Sequence, residues 1–240
     1  MDDTSTPYSL SLDPALKLRA ALVWASGLPA CPRTEAPSAY LAELLGRVKA
    51  AGEPFLSPER KAAVRDMLRF GKYKPAGRAK PSSEYLLAAA LEGDFPLVNG
   101  PVDANNAVSL EWGYPASVFD AEKTGRELFL RRGLPGESYI FNPSGQAIEL
   151  EDLIVVCRRR KGRAVAPSGD PVASDGWEPC GNPVKDAMAT KVFEGARDVV
   201  AVVYAPLSDE RGRLGACAAR FRELLESGCG AKASGAAILE

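Results

Sequence analysis

The polar residues best suited to hold or activate a substrate are concentrated in residues 97–120. Asp103, Asn105, Asn106 and Ser109 crowd the start of a predicted helix that is otherwise apolar. Asparagine is a poor helix former because its side chain competes with the backbone for hydrogen bonds, so two adjacent amides need a reason. Two interpretations are open: these side chains cap the helix and satisfy the preceding loop, or they present donors and acceptors to a polar ligand.

The absence of histidine from the 240 residues excludes several kinds of catalytic site. A Ser-His-Asp triad, a Cys-His dyad, an HExxH zinc site and a zinc finger with histidine ligands all require it. Catalysis must therefore use carboxylates, lysine, cysteine, hydroxyls, backbone amides or the substrate itself. No two of the five cysteines have CxxC spacing, so we expect no structural metal site, and their odd number without a signal peptide indicates reduced thiols. We expect no cofactor.

The sequence holds neither a GxxxxGK loop nor a GxGxxG loop, so it shows no glycine-rich phosphate-binding motif. Two basic clusters are the remaining candidate contacts for phosphate groups. The first cluster lies in residues 69–80, and the second comprises Arg158, Arg159, Arg160 and Lys161 after a predicted strand. Such a loop grips phosphates through salt-dependent contacts, or it is a solvated hairpin tip. Thirty basic and thirty-one acidic residues exclude a globally basic surface and leave a local basic patch open.

The elements that must position these residues begin with a predicted helical region. Asp13 and Pro14 are typical of a helix start, and apolar residues then recur at helical spacing until Gly27. Further amphipathic helices, each with a capping residue or proline at its start, are predicted over residues 38–52, 57–71, 81–91, 102–112 and 209–227.

After residue 120 the pattern changes to short β-rich runs, over residues 128–130, 139–141, 153–157 and 199–204. Helices followed by strands and a last helix, without strict alternation, predict an α+β fold rather than a doubly wound sheet. The N-terminus lacks the basic and apolar regions of a signal peptide, and no apolar run approaches ~18 residues. We therefore expect a cytoplasmic protein without a membrane span.

Several segments, taken in order, resemble the third and fourth domains of the phenylalanyl-tRNA synthetase beta subunit. The resemblance is closer still to the stand-alone bacterial relatives of that module, and it covers roughly residues 60–230. The segments that carry it are a PSSE-type helix start, a Val-Asp-x-x-Asn segment, a Pro-x-x-x-Phe-Asp segment, an Arg-x-x-x-Pro-Gly-Glu segment and a Gly-Asn-Pro segment, at residues 81–84, 102–110, 115–120, 131–137 and 181–186.

The resemblance implies an α+β fold with β-sandwich-like sheets and flanking helices over residues 57–240. Residues 1–56 would form a helical N-terminal extension. In the synthetase, this module hydrolyses tyrosine wrongly attached to the phenylalanine tRNA in a pocket between its two subdomains. It needs no dedicated nucleophile, because a positioned water attacks the ester with help from the substrate's own hydroxyl. No ATP-binding or aminoacylation motif is present here, so we expect no synthetase activity.

The resemblance also assigns residues to the pocket. The family's Thr-Asn pair falls on Asn105 and Asn106, its pocket proline on Pro115 and its pocket histidine on Ser117. We therefore expect the attacking water to be held near Asn106 and Ser117, as the catalytic residues.

The remaining expected contacts lie in residues 185–191 and in the strand after them. The carboxylate that reads the tyrosine hydroxyl in the family should fall on residues 199–204, which offer Tyr204 as their polar group. The loop at 185–191 meets a tRNA end or forms surface ion pairs. The expected substrate-binding residues are Asp103, Asn105, Pro115, Thr190 and Tyr204, and the expected RNA-binding residues are Arg158, Arg159, Arg160, Lys161, Lys185 and Lys191.

The expected partner is the aminoacylated 3′ end of a tRNA, and three functions are open. The first is hydrolysis of mischarged aminoacyl-tRNA in trans, which the Asn105–Asn106 pair favours. The second is a non-catalytic module that binds RNA or an aminoacyl ligand, which the missing histidine and carboxylate favour. A third is binding or hydrolysis of a free amino-acid derivative without RNA.

Overall fold

Two four-stranded sheets and a small hairpin make up the β structure of the computed structural model, which describes residues 6–160 and 176–240. In the first sheet the order is β1-β4-β7-β8, and in the second it is β10-β2-β9-β3. The strands are β1 (Ser9–Leu12), β2 (Leu18–Ser26), β3 (Ala116–Asp120), β4 (Glu127–Arg132), β5 (Ser138–Ile140), β6 (Ala147–Glu149), β7 (Ile154–Arg159), β8 (Trp177–Gly181), β9 (Val199–Pro206) and β10 (Ala233–Leu239).

Six helices accompany the sheets in the described part of the chain, so the predicted α+β class is confirmed. The helices are α1 (Ala39–Ala51), α2 (Pro58–Leu68), α3 (Ser82–Glu92), α4 (Gly100–Trp112), α5 (Ala121–Thr124) and α6 (Arg211–Glu223). A π-helical turn at Leu224–Gly228 extends α6. None of these helices is both long enough and apolar enough to cross a membrane.

The centre of the second sheet is β9, whose eight residues are all buried. It pairs antiparallel with β2 on one side and with β3 on the other, so that Val202 lies opposite both Leu22 and Ser117. β3 forms the outer edge of this sheet. Residues of both four-stranded sheets belong to one hydrophobic cluster, which makes burial of β9 the organising feature of the core.

The five helices predicted over residues 38–52, 57–71, 81–91, 102–112 and 209–227 are confirmed, with limits that differ by a few residues. Ser38 caps α1 by accepting a hydrogen bond from the backbone N–H of Leu41, and Ser57 caps α2 in the same way. α4 begins two residues earlier than predicted, because Asn99 accepts from the backbone N–H of Val102 and serves as its cap. Gly113 ends α4 in the left-handed conformation at φ 72°, which disfavours any residue with a side chain.

The predicted helix between Asp13 and Gly27 is wrong, because this segment forms the interior strand β2. The run Leu18–Ser26 is short, apolar and rich in alanine, and periodicity alone does not separate a buried strand from a buried helix in such a run. Pairing with both β9 and β10 overrides the helical preference of alanine. Asp13 does cap the backbone, but in a turn, where its side chain accepts from the N–H of Ala15.

The expected helical N-terminal extension over residues 1–56 therefore needs correction. Its described part contributes two strands to the sheets before α1 begins. The division of the chain at residue 56 stays a prediction.

The Arg-x-x-x-Pro-Gly-Glu segment serves a structural purpose. Arg131 and Glu137 form a two-pronged ion pair at 2.6 and 2.7 Å, with both side chains about 6% exposed. Glu137 also accepts from the backbone N–H of Leu134 at 2.7 Å, which closes the turn between β4 and β5. Two opposite charges that are buried together in this geometry hold the turn in one conformation.

We predict that Glu137→Ala lowers the free energy of unfolding by about 3–5 kcal/mol, because it leaves the Arg131 charge buried without its carboxylate. Urea denaturation of the purified variant measures this loss. Glu149→Ala, which removes an exposed carboxylate from the neighbouring β6, is the matched control and should cost less than about 0.5 kcal/mol. Equal losses in the two variants would show that the buried ion pair does not stabilise the fold.

Candidate functional site

A pocket of about 260 Å³ is lined by α3, α4, β3 and the loop of residues 182–193. It brings together four predicted site residues: Asn106, predicted to be catalytic, Asn105, predicted to bind substrate, and Lys185 and Lys191, predicted to bind RNA. A larger groove of about 780 Å³ runs along α2, but none of those predicted residues lines it. The smaller pocket is therefore the candidate site.

The pocket forms where two elements cover the outer edge of β3. The Asn105 side chain on α4 donates its Nδ2–H to the carbonyl of Ala116 at 3.3 Å. The carboxylate of Asp186, from the loop on the other side, accepts from the backbone N–H of Val118. Buried backbone groups need such partners, and β3 has no further strand to supply them. The pocket is therefore lined by the same side chains that complete the sheet.

Asn182 holds the loop in place through its side-chain amide. Its Oδ1 accepts from the backbone N–H groups of Val184 and Lys185, both at 2.8 Å. Its Nδ2 donates to the hydroxyl of Tyr139 at 2.6 Å, and that hydroxyl donates to the Lys185 carbonyl at 2.6 Å. The amide is buried and makes three hydrogen bonds, so it fixes the backbone that presents Lys185 and Asp186 to the pocket.

Asp186 is the most perturbed acid of the pocket. Burial raises the pKa of its carboxyl to about 7, although the Ser117 hydroxyl, the Lys191 charge and the backbone N–H groups of Asn182 and Val118 partly counteract that rise. The side chain is partly exposed at the pocket wall, so a ligand can reach it. Near neutral pH this group exchanges readily between its charged and neutral forms.

The close approach of Asp186 to the sheet depends on Gly181 at the end of β8. A Cβ at position 181 would lie 2.6 Å from the Asp186 Oδ1 and 2.4 Å from the Phe119 ring. Both distances are shorter than any ordinary contact, so the missing side chain makes room for the carboxylate.

Ser117 and Tyr204 lie behind Asp186 rather than on the pocket surface. Both side chains are fully buried, and their hydroxyl oxygens are 3.1 Å apart. Ser117 also donates to the Asn182 carbonyl at 3.4 Å. Burial raises the pKa of Tyr204 well above its usual range, and the neighbouring Asp186 charge raises it further. The two hydroxyls thus support the carboxylate from the core side.

Three other residues predicted to bind substrate instead form hydrogen bonds within the protein. Asp103 accepts from the backbone N–H of Val98 at 2.8 Å and lines a different cavity, next to α1. Thr190 donates to the Cys180 carbonyl at 3.0 Å, and the Pro115 carbonyl accepts from the Tyr204 N–H at 3.0 Å. All three are buried, and none lines the candidate pocket.

The arginines predicted to bind RNA are engaged along β7 and β8. Arg158 pairs with Glu178 and donates to the Lys123 carbonyl, while Arg159 pairs with Glu127. Arg158 lines a separate cavity beside Thr190. Neither Arg158, Arg159 nor Arg160 lines the candidate pocket, and Lys161 lies outside the described residues.

The mouth of the pocket carries exposed apolar side chains. Tyr85, Val98 and Phe193 are 56%, 41% and 46% exposed, and all three line this pocket. The Lys123 Nζ lies 4.9 Å from the centre of the Phe193 ring. Exposed aromatic rings beside lysine charges are typical of a surface that binds a ligand rather than one that only meets water.

The chemistry available in the pocket consists of amides, the hydroxyls of Ser82 and Tyr85, lysine charges and one carboxylate. Within residues 6–160 and 176–240, no three Cys, Asp or Glu side chains are grouped so that they could hold a metal ion. Sequence reasoning sought a carboxylate on residues 199–204 and placed Asp186 only in a loop that meets a tRNA end or forms surface ion pairs, whereas Asp186 lines the pocket. The Gly-Asn-Pro segment was the available signal, since Gly181 and Asn182 both position this acid.

The chain matches the model of the B3/4 domain family over residues 72–204. Every residue that lines the candidate pocket falls within this range. All but one of the residues that line the larger groove along α2 fall outside it, the exception being Arg132. No curated protein matches the chain.

We predict that Asn182→Ala loosens the loop, because two backbone N–H groups lose their acceptor and the Tyr139 hydroxyl loses its donor. Amide hydrogen exchange over residues 183–191 should become about tenfold faster, the change expected for loss of ~1.4 kcal/mol of local stability. Asn142→Ala is the control, since Asn142 bonds only to Gln146 in the exposed turn between β5 and β6. Unchanged exchange over residues 183–191 in Asn182→Ala would mean that other contacts fix the loop.

Proposed function

The chain belongs to the B3/4 domain family, that of the third and fourth domains of the phenylalanyl-tRNA synthetase beta subunit, and we propose that its pocket holds the aminoacylated 3′ end of a tRNA. The observation that carries this proposal is the convergence of Asn105, Asn106, Lys185 and Lys191 on one pocket inside the matched segment. At about 260 Å³, the pocket has room for one aminoacyl group and not for a folded RNA element.

The proposed reaction is hydrolysis of the ester that joins a wrong amino acid to its tRNA. Water adds to the ester carbonyl carbon, the bond to the ribose oxygen breaks, and a proton of the water passes to that oxygen. Asn106 is the proposed contact to the reacting atoms. Its Oδ1 accepts from Asn105 at 3.4 Å, which leaves its Nδ2 to donate to the attacking water or to the developing oxyanion.

Ser117 acts in this proposal as a positioning residue rather than as a direct contact. It is fully buried and hydrogen-bonds to the Asp186 carboxyl, which does line the pocket. Tyr204 supports Ser117 from β9. The carboxylate of Asp186 then accepts a hydrogen bond from the bound aminoacyl group. It takes the role of the family's carboxylate, which was expected on residues 199–204.

The nucleotide part of the ligand would lie across the mouth of the pocket. Lys185 and Lys191 supply positive charge for phosphates, and the exposed rings of Tyr85 and Phe193 suit stacking against bases. Arg158, Arg159, Arg160 and Lys161 are proposed to meet more distant phosphates. The ion pairs of Arg158 and Arg159 would then have to rearrange.

One observation favours the alternative of a non-catalytic binding module. Ser117, one of the two expected catalytic residues, has no exposed surface and is held by Tyr204 and the Asn182 carbonyl. A module of this kind would bind the same tRNA end without cleaving the ester.

We predict that the protein deacylates at least one member of a panel of mischarged tRNAs, and that Asn106→Ala lowers this rate about 10²-fold. Release of labelled amino acid measures the rate, and circular dichroism verifies folding. Asn142→Ala, which changes an asparagine outside the pocket, should keep the wild-type rate. Binding without cleavage of any member would support the non-catalytic module, and full activity of Asn106→Ala would remove that residue from the mechanism.

We also predict that Lys185→Ala weakens tRNA binding and reduces the slope of log affinity against log salt by about 0.7, the value of one phosphate contact to a single strand. Filter binding between low and moderate salt measures the slope. Lys49→Ala removes an exposed lysine from the last turn of α1 and should leave the slope unchanged. Equal slopes for the wild type and both variants would exclude Lys185 as a phosphate contact.

A further inference from the structure

Asn105 presents a buried oxygen that receives no hydrogen bond from residues 6–160 or 176–240. Its Nδ2 serves two acceptors, the Ala116 carbonyl and the Asn106 Oδ1. Because both partners are oxygens, the amide cannot be turned without placing oxygen against oxygen. The Asn105 Oδ1 therefore stays an acceptor, and it is buried at the pocket without a partner. Buried acceptors of this kind are rare, since leaving one unpaired is costly.

A second acceptor, the Asp186 carboxylate, lies along the same edge of β3. Asn105 bonds to Ala116, while Asp186 bonds to Val118, two residues further along the strand. Ala116 and Val118 both line the pocket between the two acceptors. This wall of the pocket thus offers one neutral oxygen and one acid to whatever fills it.

The chemistry of these acceptors identifies their ligand. A hydroxyl donates a single hydrogen bond, so it can serve only one of the two oxygens. A primary ammonium donates three, carries a positive charge and can serve both oxygens at once. We propose that the pocket binds a primary ammonium group between the Asp186 carboxylate and the Asn105 side-chain oxygen. This rests on the proposed function, in which the group is the free α-ammonium of the aminoacyl ester.

The positive charges of two lysines indicate that the rest of the ligand is anionic. Lys185 and Lys191 line the same pocket, and Lys191 donates to the Phe141 carbonyl at 2.7 Å. A ligand with an ammonium alone would be repelled by these charges. A ligand with an ammonium at β3 and a phosphate towards the lysines matches both ends, as an aminoacylated nucleotide does.

The pH dependence follows from the groups that face Asp186. Tyr139, Cys180 and Tyr204 pack around it, and burial raises the pKa of each well above its usual range, so they stay neutral. The Lys191 ammonium is the positive neighbour, with a pKa that burial lowers. Ammonium binding needs the charged carboxylate, so affinity should rise as Asp186 ionises around pH 7. It should fall again as the ligand amine loses its proton, at about pH 7.7–8.0.

The test uses the amides of the twenty amino acids and their N-acetyl counterparts as probes, with binding to the full chain measured by calorimetry at pH 7.5. We expect at least one amide to bind and its N-acetyl form to bind at least tenfold more weakly. Asp186→Asn should weaken binding at least tenfold and remove the rising limb of the pH profile. Glu194→Gln changes an exposed acid on the same loop outside the pocket and should behave as the wild type.

Three results would overturn the proposal: equal affinity for free and N-acetylated amides, undiminished affinity of Asp186→Asn, or no amide bound. The comparison of free and acetylated probes needs only the wild-type protein, so it decides the question even when Asp186→Asn does not fold. Amides contain no ester, so this result is independent of deacylation. Cleavage of tRNA esters without any preference for a free amine would leave the proposed function standing and remove the ammonium site.

Discussion

The outer edge of β3 is the constraint on which the rest of the structure depends. β9 buries all eight of its residues and pairs with β2 on one side and β3 on the other. Among the described residues, β3 is the last strand of this sheet, so its outer edge has no neighbouring strand. A buried strand edge must find partners for its backbone groups. Here the partners are two side chains, Asn105 from α4 and Asp186 from the loop. Because side chains leave space where a strand would not, the completed sheet also contains a pocket.

Placing an acid at this edge is costly, and several residues are arranged to make it tolerable. Gly181 gives the carboxylate room, and Asn182 fixes the loop that carries it. Ser117 offers a hydroxyl, with Tyr204 behind it. Even so, burial raises the pKa of Asp186 to about 7, so the empty pocket keeps the acid only partly charged at neutral pH. A bound cationic group would favour the charged form of the Asp186 carboxyl, as the hydrogen bonds from the supporting residues do.

Sequence reasoning succeeded where the signal is local and failed where pairing decides the structure. Helices such as α1 and α2 carry their own capping serines and were predicted with nearly correct limits. β2 and β10 are rich in alanine, and only their neighbours in the sheet make them strands. β3 was also missed, because all five of its residues are buried and it shows no alternation. The role of Asp186 depends on contacts between distant segments: Gly181 leaves room for its carboxylate, and the edge of β3 supplies the Val118 N–H that it accepts from.

The polar residues of α4 lie on two faces of the helix. One face supports the loop before the helix, and the other lines the candidate pocket, so each of the two interpretations of the sequence applies to one face. Asp103 faces the cavity next to α1, where it holds the backbone of Val98 and so orders the loop before the helix. Asn105 and Asn106 face the candidate pocket. Successive residues of a helix are rotated by about 100°, so Asp103 and Asn105, two positions apart, point in nearly opposite directions. The acid therefore stabilises the helix start while the amides line the pocket, and substituting one group need not disturb the other.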